Sequence, residues 1–184
     1  PNGPCLVVDL DVARDNFRAF EKTMTDSKIY YAVKANPAPE ILRLLASMGS
    51  SFDCASVAEI EMAMDAGASA DRISYGNTIK KERDILRAFE LGIRLFAIDC
   101  VEEAEKIGRV APGSKVFCRV LTDGEGAEWP LSRKFGCAPS MAIDVLRHAK
   151  ALNLTPSGVS FHVGSQQVNP DAWDRALADA KTVF

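Results

Sequence analysis

A lysine at the end of an apolar run is the residue of this chain best placed to do chemistry. The run is Tyr30–Asn36 (Tyr-Tyr-Ala-Val-Lys-Ala-Asn), and Pro37 then ends any strand. A lysine that closes a buried strand keeps its stem in the core, where the loss of hydration favours the neutral amine. Because a neutral amine attacks carbonyl carbons, Lys34 is a candidate Schiff-base lysine. The alternative is an ordinary lysine whose ammonium reaches solvent.

Polar side chains also stand where the later apolar runs end. They are Asp53, Asn77, Asp99, Arg119 and His162. Functional groups contributed by the ends of many different strands are typical of the (β/α)8 barrel. Each residue also has a plain structural explanation: a lone histidine can be a satisfied core residue, and an aspartate and an arginine can form a buried ion pair.

The elements that must position these residues alternate strictly between strand and helix. The predicted strands are Ile29–Val33, Ser51–Cys54, Arg72–Tyr75, Arg94–Ile98, Lys115–Leu121 and Gly158–Val163. The predicted helices are Pro39–Met48, Val57–Ala66, Lys80–Leu91, Val101–Val110, Ser140–Leu152 and Asp171–Phe184. The first strands start roughly 21 to 23 residues apart, a spacing that fits single strand–loop–helix units.

This alternation predicts an α/β fold with a parallel sheet. An open doubly wound sheet is the alternative to a TIM-like barrel, but no Gly-rich nucleotide loop follows the first strand. We therefore expect about six βα units of a (β/α)8 barrel in residues 28–184, which makes the chain incomplete. Residues 1–27 are expected to form an unpaired strand, Pro4–Leu10, and a helix capped by Asp11, with Val12, Phe17 and Phe20 on one face.

Composition excludes several classes of partner. The 184 residues are 47% hydrophobic and 26% charged, with a net charge of −3 and no basic stripe, which argues against nucleic acid and anionic membranes. No apolar run approaches the ~20 residues of a membrane span, and no signal peptide opens the sequence. The five cysteines form no C-x-x-C pair, so we expect buried thiols in the cytoplasm and neither a metal site nor a disulfide framework.

Several motifs resemble one enzyme family. Tyr31–Asn36, followed by Ile41-Leu42 and Gly49, looks like the lysine signature of the group IV pyridoxal-phosphate (PLP) decarboxylases. These ornithine, diaminopimelate and biosynthetic arginine enzymes share an alanine-racemase-like barrel of fold type III. Three further segments resemble the ornithine/lysine decarboxylase branch: Phe52–Ser56, Leu131–Gly136 and Gly158–Ser165. The similarity covers essentially the whole chain, in order, and also implies that the N-terminal strand belongs to a missing C-terminal β domain.

The resemblance implies roles for five residues. Lys34 matches the lysine that binds PLP covalently and is displaced by substrate, and His162 matches the histidine that stacks on the cofactor ring. These two are the candidate catalytic residues. Ser165 matches the serine that binds the phosphate, beside a glycine that lets the backbone approach. Asp53 and Arg119 match positions in the cofactor pocket; Arg119 either orients Asp53 or stands near the cofactor.

Other matched positions carry weaker implications. Glu59 matches an acid behind the pocket, although a capping box with Ser56 is sufficient to explain it. Lys134 matches a lysine that reaches across a subunit interface, and its alternative is an ordinary surface cation. The polar segment Thr122–Arg133 is expected to be a mobile loop over the strand ends or a surface excursion. Asn77 and Asp99 receive no role.

The implied activity is PLP-dependent decarboxylation of a basic amino acid, either L-ornithine to putrescine or L-lysine to cadaverine, in polyamine biosynthesis. A homodimer with shared sites is implied, and the given chain alone is expected to be inactive, because the family's remaining cofactor-binding groups lie beyond Phe184. Two alternatives stay open: a non-catalytic PLP-barrel protein or regulatory paralogue, and a diaminopimelate or arginine decarboxylase of the same fold.

Overall fold

The structure is a computed structural model that describes residues 3–122, 124, 126–128 and 134–184. The chain divides into two compact units, Pro1–Ser74 and Tyr75–Phe184. The strands are β1 (Tyr30–Ala32), β2 (Ser51–Cys54), β3 (Ile73–Tyr75), β4 (Leu95–Ile98), β5 (Lys115–Arg119) and β6 (Thr155–Ser160). The α-helices are α1 (Leu10–Thr23), α2 (Pro39–Ser47), α3 (Val57–Asp65), α4 (Glu82–Glu90), α5 (Val101–Val110), α6 (Pro139–Ala151) and α7 (Asp171–Lys181). Two 3-10 turns, Val33–Ala35 and Ala70–Arg72, complete the described elements.

All strand pairings in the two units are parallel, as predicted. In the first unit β1 pairs with β2, and Ala32 lies opposite Asp53. In the second unit β4, β5 and β6 pair in chain order, and β3 meets β4 where Tyr75 lies opposite Phe96. A helix follows each strand, so the α/β class predicted from the alternation is confirmed. The predicted division between residues 27 and 28 stays a prediction.

The last strand begins earlier than the apolar run predicted. β6 starts at Thr155, because the pairing with β5 includes Thr155, opposite Lys115, and Pro156, opposite Val116. A proline fits here because β6 is an edge strand. The register shifts between Val116 and Phe117 as the pairing passes Ser157. The strand therefore ends at Ser160, which puts His162 beyond it and not inside it.

The predicted strand Pro4–Leu10 does not form in the described residues, and Leu10 belongs to α1; that the segment pairs with a missing domain stays a prediction. Residues 4–8 have no regular structure, and Leu6 and Val7 are 89% and 81% exposed because no strand in the described part of the chain pairs with them. Asp9, and not Asp11, caps α1: its carboxylate accepts a hydrogen bond from the Asp11 N–H at 2.8 Å.

The predicted apolar face of α1 is wrong in part. Only Phe17 is buried, while Val12 and Phe20 are exposed. No described helix is both long and apolar enough to span a membrane.

Apolar side chains from strands and helices form a core in each unit. In the first unit the fully or nearly buried residues include Val33, Leu42, Phe52 and Ile60. In the second they include Ile85, Phe96, Ile98, Ile107, Val116 and Val145. Helix α2 contributes Ile41, Leu42 and Leu45, whose spacing puts them on one side of the helix. Burying each such side chain stabilises the fold by about 1.5–3 kcal/mol.

A buried ion pair holds the loop between β3 and α4. The Lys80 side chain is 0% exposed, and its ammonium donates to the carbonyls of Asn77 (2.8 Å) and Ala97 (2.6 Å) and lies 2.9 Å from Glu103 Oε1. Burial lowers the pKa of Lys80, while Glu103 opposes that shift. Lys106 reaches the second carboxylate oxygen of Glu103 at 2.5 Å. Asn77 thus has a structural role here, because its carbonyl helps to satisfy a buried charge.

We expect Lys80→Ala to lower the free energy of unfolding by about 3–5 kcal/mol, since it leaves the Glu103 carboxylate buried without its main partner. Urea denaturation of the full-length protein measures this. The exposed neighbour Lys81 provides the control, because Lys81→Ala should stay within about 0.5 kcal/mol of wild type. Equal stability of the two variants would show that the ion pair contributes nothing.

Candidate functional site

The turn that follows β1 positions Lys34. The strand ends at Ala32, and Val33–Ala35 forms one 3-10 turn. Val33 is 0% exposed and holds the turn against the core. The Tyr31 hydroxyl donates to the Asn36 carbonyl at 3.1 Å and so bridges the turn. Because both sides of the turn are held, the Cα of Lys34 has a defined position.

The expectation that Lys34 closes a buried strand is wrong. Its side chain is exposed, and Tyr30, Tyr31 and Ala32 of β1 are only partly buried or exposed. The physical reason is that β1 is an edge strand and the turn takes Val33, not Lys34, into the core. No described residue of the first unit forms a hydrogen bond or an ion pair with the Lys34 amine. The amine is therefore accessible to a ligand in the first unit.

Asp53 lies on the neighbouring strand, opposite Ala32. It is partly buried, and its Oδ1 accepts a hydrogen bond from the Ser74 hydroxyl of β3 at 2.6 Å. The next helix begins as predicted: Ser56 accepts from the Glu59 N–H at 3.3 Å, and Glu59 Oε2 accepts from the Ala55 N–H at 2.7 Å. Capping therefore accounts for Glu59 in this structure.

The end of β5 carries Arg119 in the second unit. The chain returns beside this strand, where the Cys137 N–H donates to the Arg119 carbonyl at 3.0 Å and Val120 pairs with Cys137. Asp99 Oδ2 accepts from the Gly136 N–H at 2.9 Å. Asp99, to which the sequence assigned no role, thus ties the returning segment to the end of β4. The Arg119 guanidinium lies 5.6 Å from the Phe135 ring centroid.

Two thiols pack together under this returning segment. The Sγ atoms of Cys118 and Cys137 are 3.6 Å apart, and both residues are buried. The contact and burial raise the pKa of the Cys118 thiol. All five cysteines are free; Cys54 is also buried, Cys100 is intermediate and Cys5 is exposed. The expectation of buried thiols thus holds for three of them.

Helix α7 holds the segment that carries His162. Phe161 meets Trp173 edge to face with ring centroids 6.1 Å apart, and Val163 is buried against Ala172 and Ala176. Between these two contacts the His162 side chain is exposed. Alternate residues of the segment thus point to the helix, and the histidine points away from it.

The backbone of the same segment orients the imidazole. His162 Nδ1 accepts a hydrogen bond from the Gly164 N–H at 2.9 Å, which places the proton of a neutral ring on Nε2. Gly164 is buried with φ of +104°, a conformation that favours glycine, and Ser165 follows it partly buried. The predicted pairing of a glycine turn with a hydroxyl is therefore present in the geometry.

Other predicted features lie at the limits of the described structure. Within the segment Thr122–Arg133, positions 123, 125 and 129–133 lie outside the described residues. So does the first part of the Leu131–Gly136 motif. Lys134 is exposed, with its ammonium 5.3 Å from the Phe135 ring centroid. Among the described residues, no group of three His, Cys, Asp or Glu side chains is arranged to hold a metal.

Sequence reasoning missed two polar residues that the structure brings into these networks. Ser74 stands in the middle of a strand that reads as Ile-Ser-Tyr, and its only signal was a hydroxyl where an aliphatic residue is expected. Lys80 was assigned to the start of a helix. Helix α4 starts later, at Glu82, because the Lys80 side chain turns inward.

The chemistry of these side chains fits PLP. The first unit offers an accessible amine in Lys34, with Asp53 on the neighbouring strand, and an amine is what an aldehyde group requires. The second unit offers an exposed imidazole in His162, which suits an aromatic ring, and a glycine turn with the Ser165 hydroxyl, which suits a phosphate. That Lys34, His162, Asp53, Arg119 and Ser165 share one pocket stays a prediction.

Comparison with known proteins gives one consistent family. A family model described as the pyridoxal binding domain of pyridoxal-dependent decarboxylases matches residues 10–184. The chain is 35% identical over 181 residues to a lysine/ornithine decarboxylase of Selenomonas ruminantium, covering 98% of this chain and 46% of that protein. It is 40% identical over 183 residues to a chloroplastic ornithine decarboxylase of Nicotiana glauca, covering 98% and 42%.

A further relative and a solved structure extend this result. Antizyme inhibitor 2 of Xenopus laevis is 37% identical over 180 residues, covering 97% of this chain and 39% of that protein. The crystal structure of a mutant of SrLDC in complex with PLP superposes with a TM-score of 0.94 at 35% identity, covering 100% of this chain and 48% of that one. The chain thus spans less than half the length of these relatives. The fold prediction, part of a PLP-binding α/β barrel, is confirmed.

We expect Gly136→Ala to lower the free energy of unfolding by about 2–4 kcal/mol. At its φ of +103° an added Cβ would lie 3.0 Å from the Val120 carbonyl carbon, so the segment held by Asp99 would have to move. Gly113→Ala is the control: its φ is +74° but its Cβ meets nothing within 4 Å, so about 1 kcal/mol is expected. Thermal or urea unfolding measures both, and equal losses would contradict the close approach.

Proposed function

Since this chain belongs to the pyridoxal-dependent decarboxylase family, we propose that it is the PLP-binding part of an enzyme that decarboxylates a basic amino acid. The observation that carries this proposal is the accessible amine of Lys34, held by the buried Val33 and the Tyr31–Asn36 hydrogen bond, with Asp53 on the adjacent strand. A lysine built only for solubility needs no such support, whereas a lysine that reacts must meet its target in one orientation.

Each proposed role follows from a side chain's chemistry. Lys34 Nζ would hold the cofactor covalently and then yield its place to the substrate amine. The His162 imidazole would pack on one face of the cofactor ring, with its Nδ1 engaged by Gly164. The Ser165 hydroxyl would donate to the phosphate, and Asp53 would keep a negative charge near the amine, with Arg119 in the same pocket. When bound, PLP supplies an electron sink for the carbanion left by the departing carboxylate.

The proposed substrate is L-ornithine or L-lysine, giving putrescine or cadaverine, and hence a step in polyamine biosynthesis. Relatives named ornithine and lysine/ornithine decarboxylase support this choice. The two amino acids differ by one methylene group, for which a binding pocket discriminates by only about 10–200-fold. Diaminopimelate and arginine remain the alternative substrates within the same fold.

We further propose a cytoplasmic homodimer. The five free cysteines suit a reducing compartment. The exposed Lys134 is the residue proposed to reach toward the partner subunit.

A non-catalytic PLP-barrel protein, or a regulatory paralogue, is the second candidate. It is favoured by the likeness to a protein named antizyme inhibitor 2, which is as similar to this chain as several named decarboxylases are. Against it stands the set of candidate cofactor residues, all of which are present in this sequence. The two candidates differ in one observable, the release of CO2.

We expect the full-length protein to take up PLP and to show the visible absorbance of a lysine–PLP Schiff base. Lys34→Ala should abolish this band, because it removes the amine that binds the aldehyde. Lys28→Ala, which removes an exposed lysine of the same unit, should leave it unchanged. The assignment would be overturned if Lys34→Ala keeps the band, and if borohydride reduction of that protein followed by peptide mapping finds PLP on another lysine.

We also expect the full-length protein to release CO2 from ornithine and lysine. Assays with ornithine, lysine, arginine and diaminopimelate should give the highest kcat/KM for ornithine. The kcat/KM for lysine should be lower by at most about 200-fold. If CO2 is released only from arginine or only from diaminopimelate, that amino acid would replace ornithine and lysine as the proposed substrate. A PLP-loaded protein that releases CO2 from none of the four would support the non-catalytic alternative.

A further inference from the structure

Ser74 makes one short hydrogen bond in the middle of a buried strand. The residue is 3% exposed and lies between Ile73 and Tyr75, which are buried as well. Its hydroxyl is 2.6 Å from Asp53 Oδ1 and 3.5 Å from the Phe52 carbonyl oxygen. A serine hydroxyl has one proton, and the shorter contact to a charged acceptor is the stronger bond. The proton is therefore donated to Asp53.

This hydrogen bond is not what a strand needs for stability. Position 74 lies in a strand whose three residues are all buried, where an aliphatic side chain would stabilise the core by burying apolar surface. A hydrogen bond to a carboxylate contributes no more than an aliphatic side chain would contribute by its burial, so stability alone does not require a serine here. The hydrogen bond is accordingly better explained by the orientation that it imposes on the carboxylate than by the stability that it adds.

The carboxylate that Ser74 orients stands next to the turn that carries Lys34. Asp53 lies opposite Ala32, and Lys34 follows Ala32 by two residues in the held turn. The strand alternation puts Phe52 and Cys54, both 0% exposed, on the other face of β2. Asp53 thus faces away from the helix-packed core, on the side where it can act on a ligand of the amine.

We propose that Ser74 is a positioning residue that acts through Asp53. By fixing Oδ1 it keeps the carboxylate in one orientation, so that its negative charge stays beside the nitrogen of Lys34 and favours a proton there. This inference rests on the proposed function, because the nitrogen concerned is the one that would bind PLP. Ser74 itself does not touch substrate or cofactor in this account.

The test measures the visible absorbance of the PLP-loaded full-length protein as a function of pH. In Ser74→Ala the carboxylate can turn away from the nitrogen, so the pH midpoint of the absorbance change should move down by about half a unit or more, and kcat should fall about tenfold with KM nearly unchanged. Ser74→Thr, which keeps the hydroxyl, should restore both values. The melting temperature of each variant reports any purely structural effect.

Ser50→Ala is the matched control. Ser50 is 1% exposed and its hydroxyl donates to the Ser51 carbonyl at 2.8 Å, so the same buried change is made at the opposite end of β2, away from Asp53. It should leave the pH midpoint and kcat unchanged. If Ser74→Ala does not fold, Ser74→Cys replaces it, since a thiol has a similar size and donates only weakly.

The outcomes separate the two proposals. A wild-type protein without the visible band would remove the proposed function, and the role of Ser74 with it. If the wild-type protein shows the band, but Ser74→Ala has the same pH midpoint and the same kcat as wild type, the role of Ser74 alone would be overturned. This holds even if the melting temperature of Ser74→Ala is lower. A shift that Ser74→Thr fails to reverse would also count against it.

Discussion

The burial of Val33 is the constraint on which the candidate chemistry depends. A chain leaving β1 has to put either Val33 or Lys34 into the core, and the apolar side chain takes that place. The hydrogen bond from the Tyr31 hydroxyl to the Asn36 carbonyl then joins the two ends of the turn. The amine of Lys34 is exposed as a consequence of this choice. The loss of hydration expected for a buried lysine therefore does not apply to it, and the pairing of β1 with β2 puts Asp53 on the strand next to its turn.

Polar networks hold the backbone segments that follow the strands. Lys80 and Glu103 fix the loop after β3, Asp99 ties the segment that returns beside β5, and the Ser56–Glu59 box starts α3. In each case a charged or hydroxyl side chain satisfies backbone groups that a loop leaves without partners. Parallel strands need such connections after every strand, so these polar residues are part of the fold.

The sequence predicted the parallel α/β fold well, because apolar runs and helical stretches alternate with regular spacing. The start of β6 was missed because Thr155 and Pro156 are held by the pairing of the strand backbones, a contribution that hydropathy does not reveal. The Pro4–Leu10 strand does not form here because β-propensity cannot supply a partner strand, as its expected place in a missing domain implies.

The candidate site was predicted less completely. Lys34, Asp53, Arg119, His162 and Ser165 came from residue type and family resemblance. Periodicity does not encode contacts between residues 20 or more positions apart. The hydrogen bonds from Ser74 to Asp53 and from Gly136 to Asp99 are of this kind, and the exposure of Lys34 likewise depends on the tertiary structure.

The hydrogen bond from the Gly164 N–H to His162 Nδ1 links the protonation state of the imidazole to the conformation of the backbone around it. Nδ1 can keep its hydrogen bond to the glycine amide only while it carries no proton of its own. An imidazole that becomes a cation has to give up that bond, and the amide loses its acceptor at the same moment. A neutral ring therefore goes with an intact bend before Ser165, and a charged ring goes with the loss of one hydrogen bond that holds this bend.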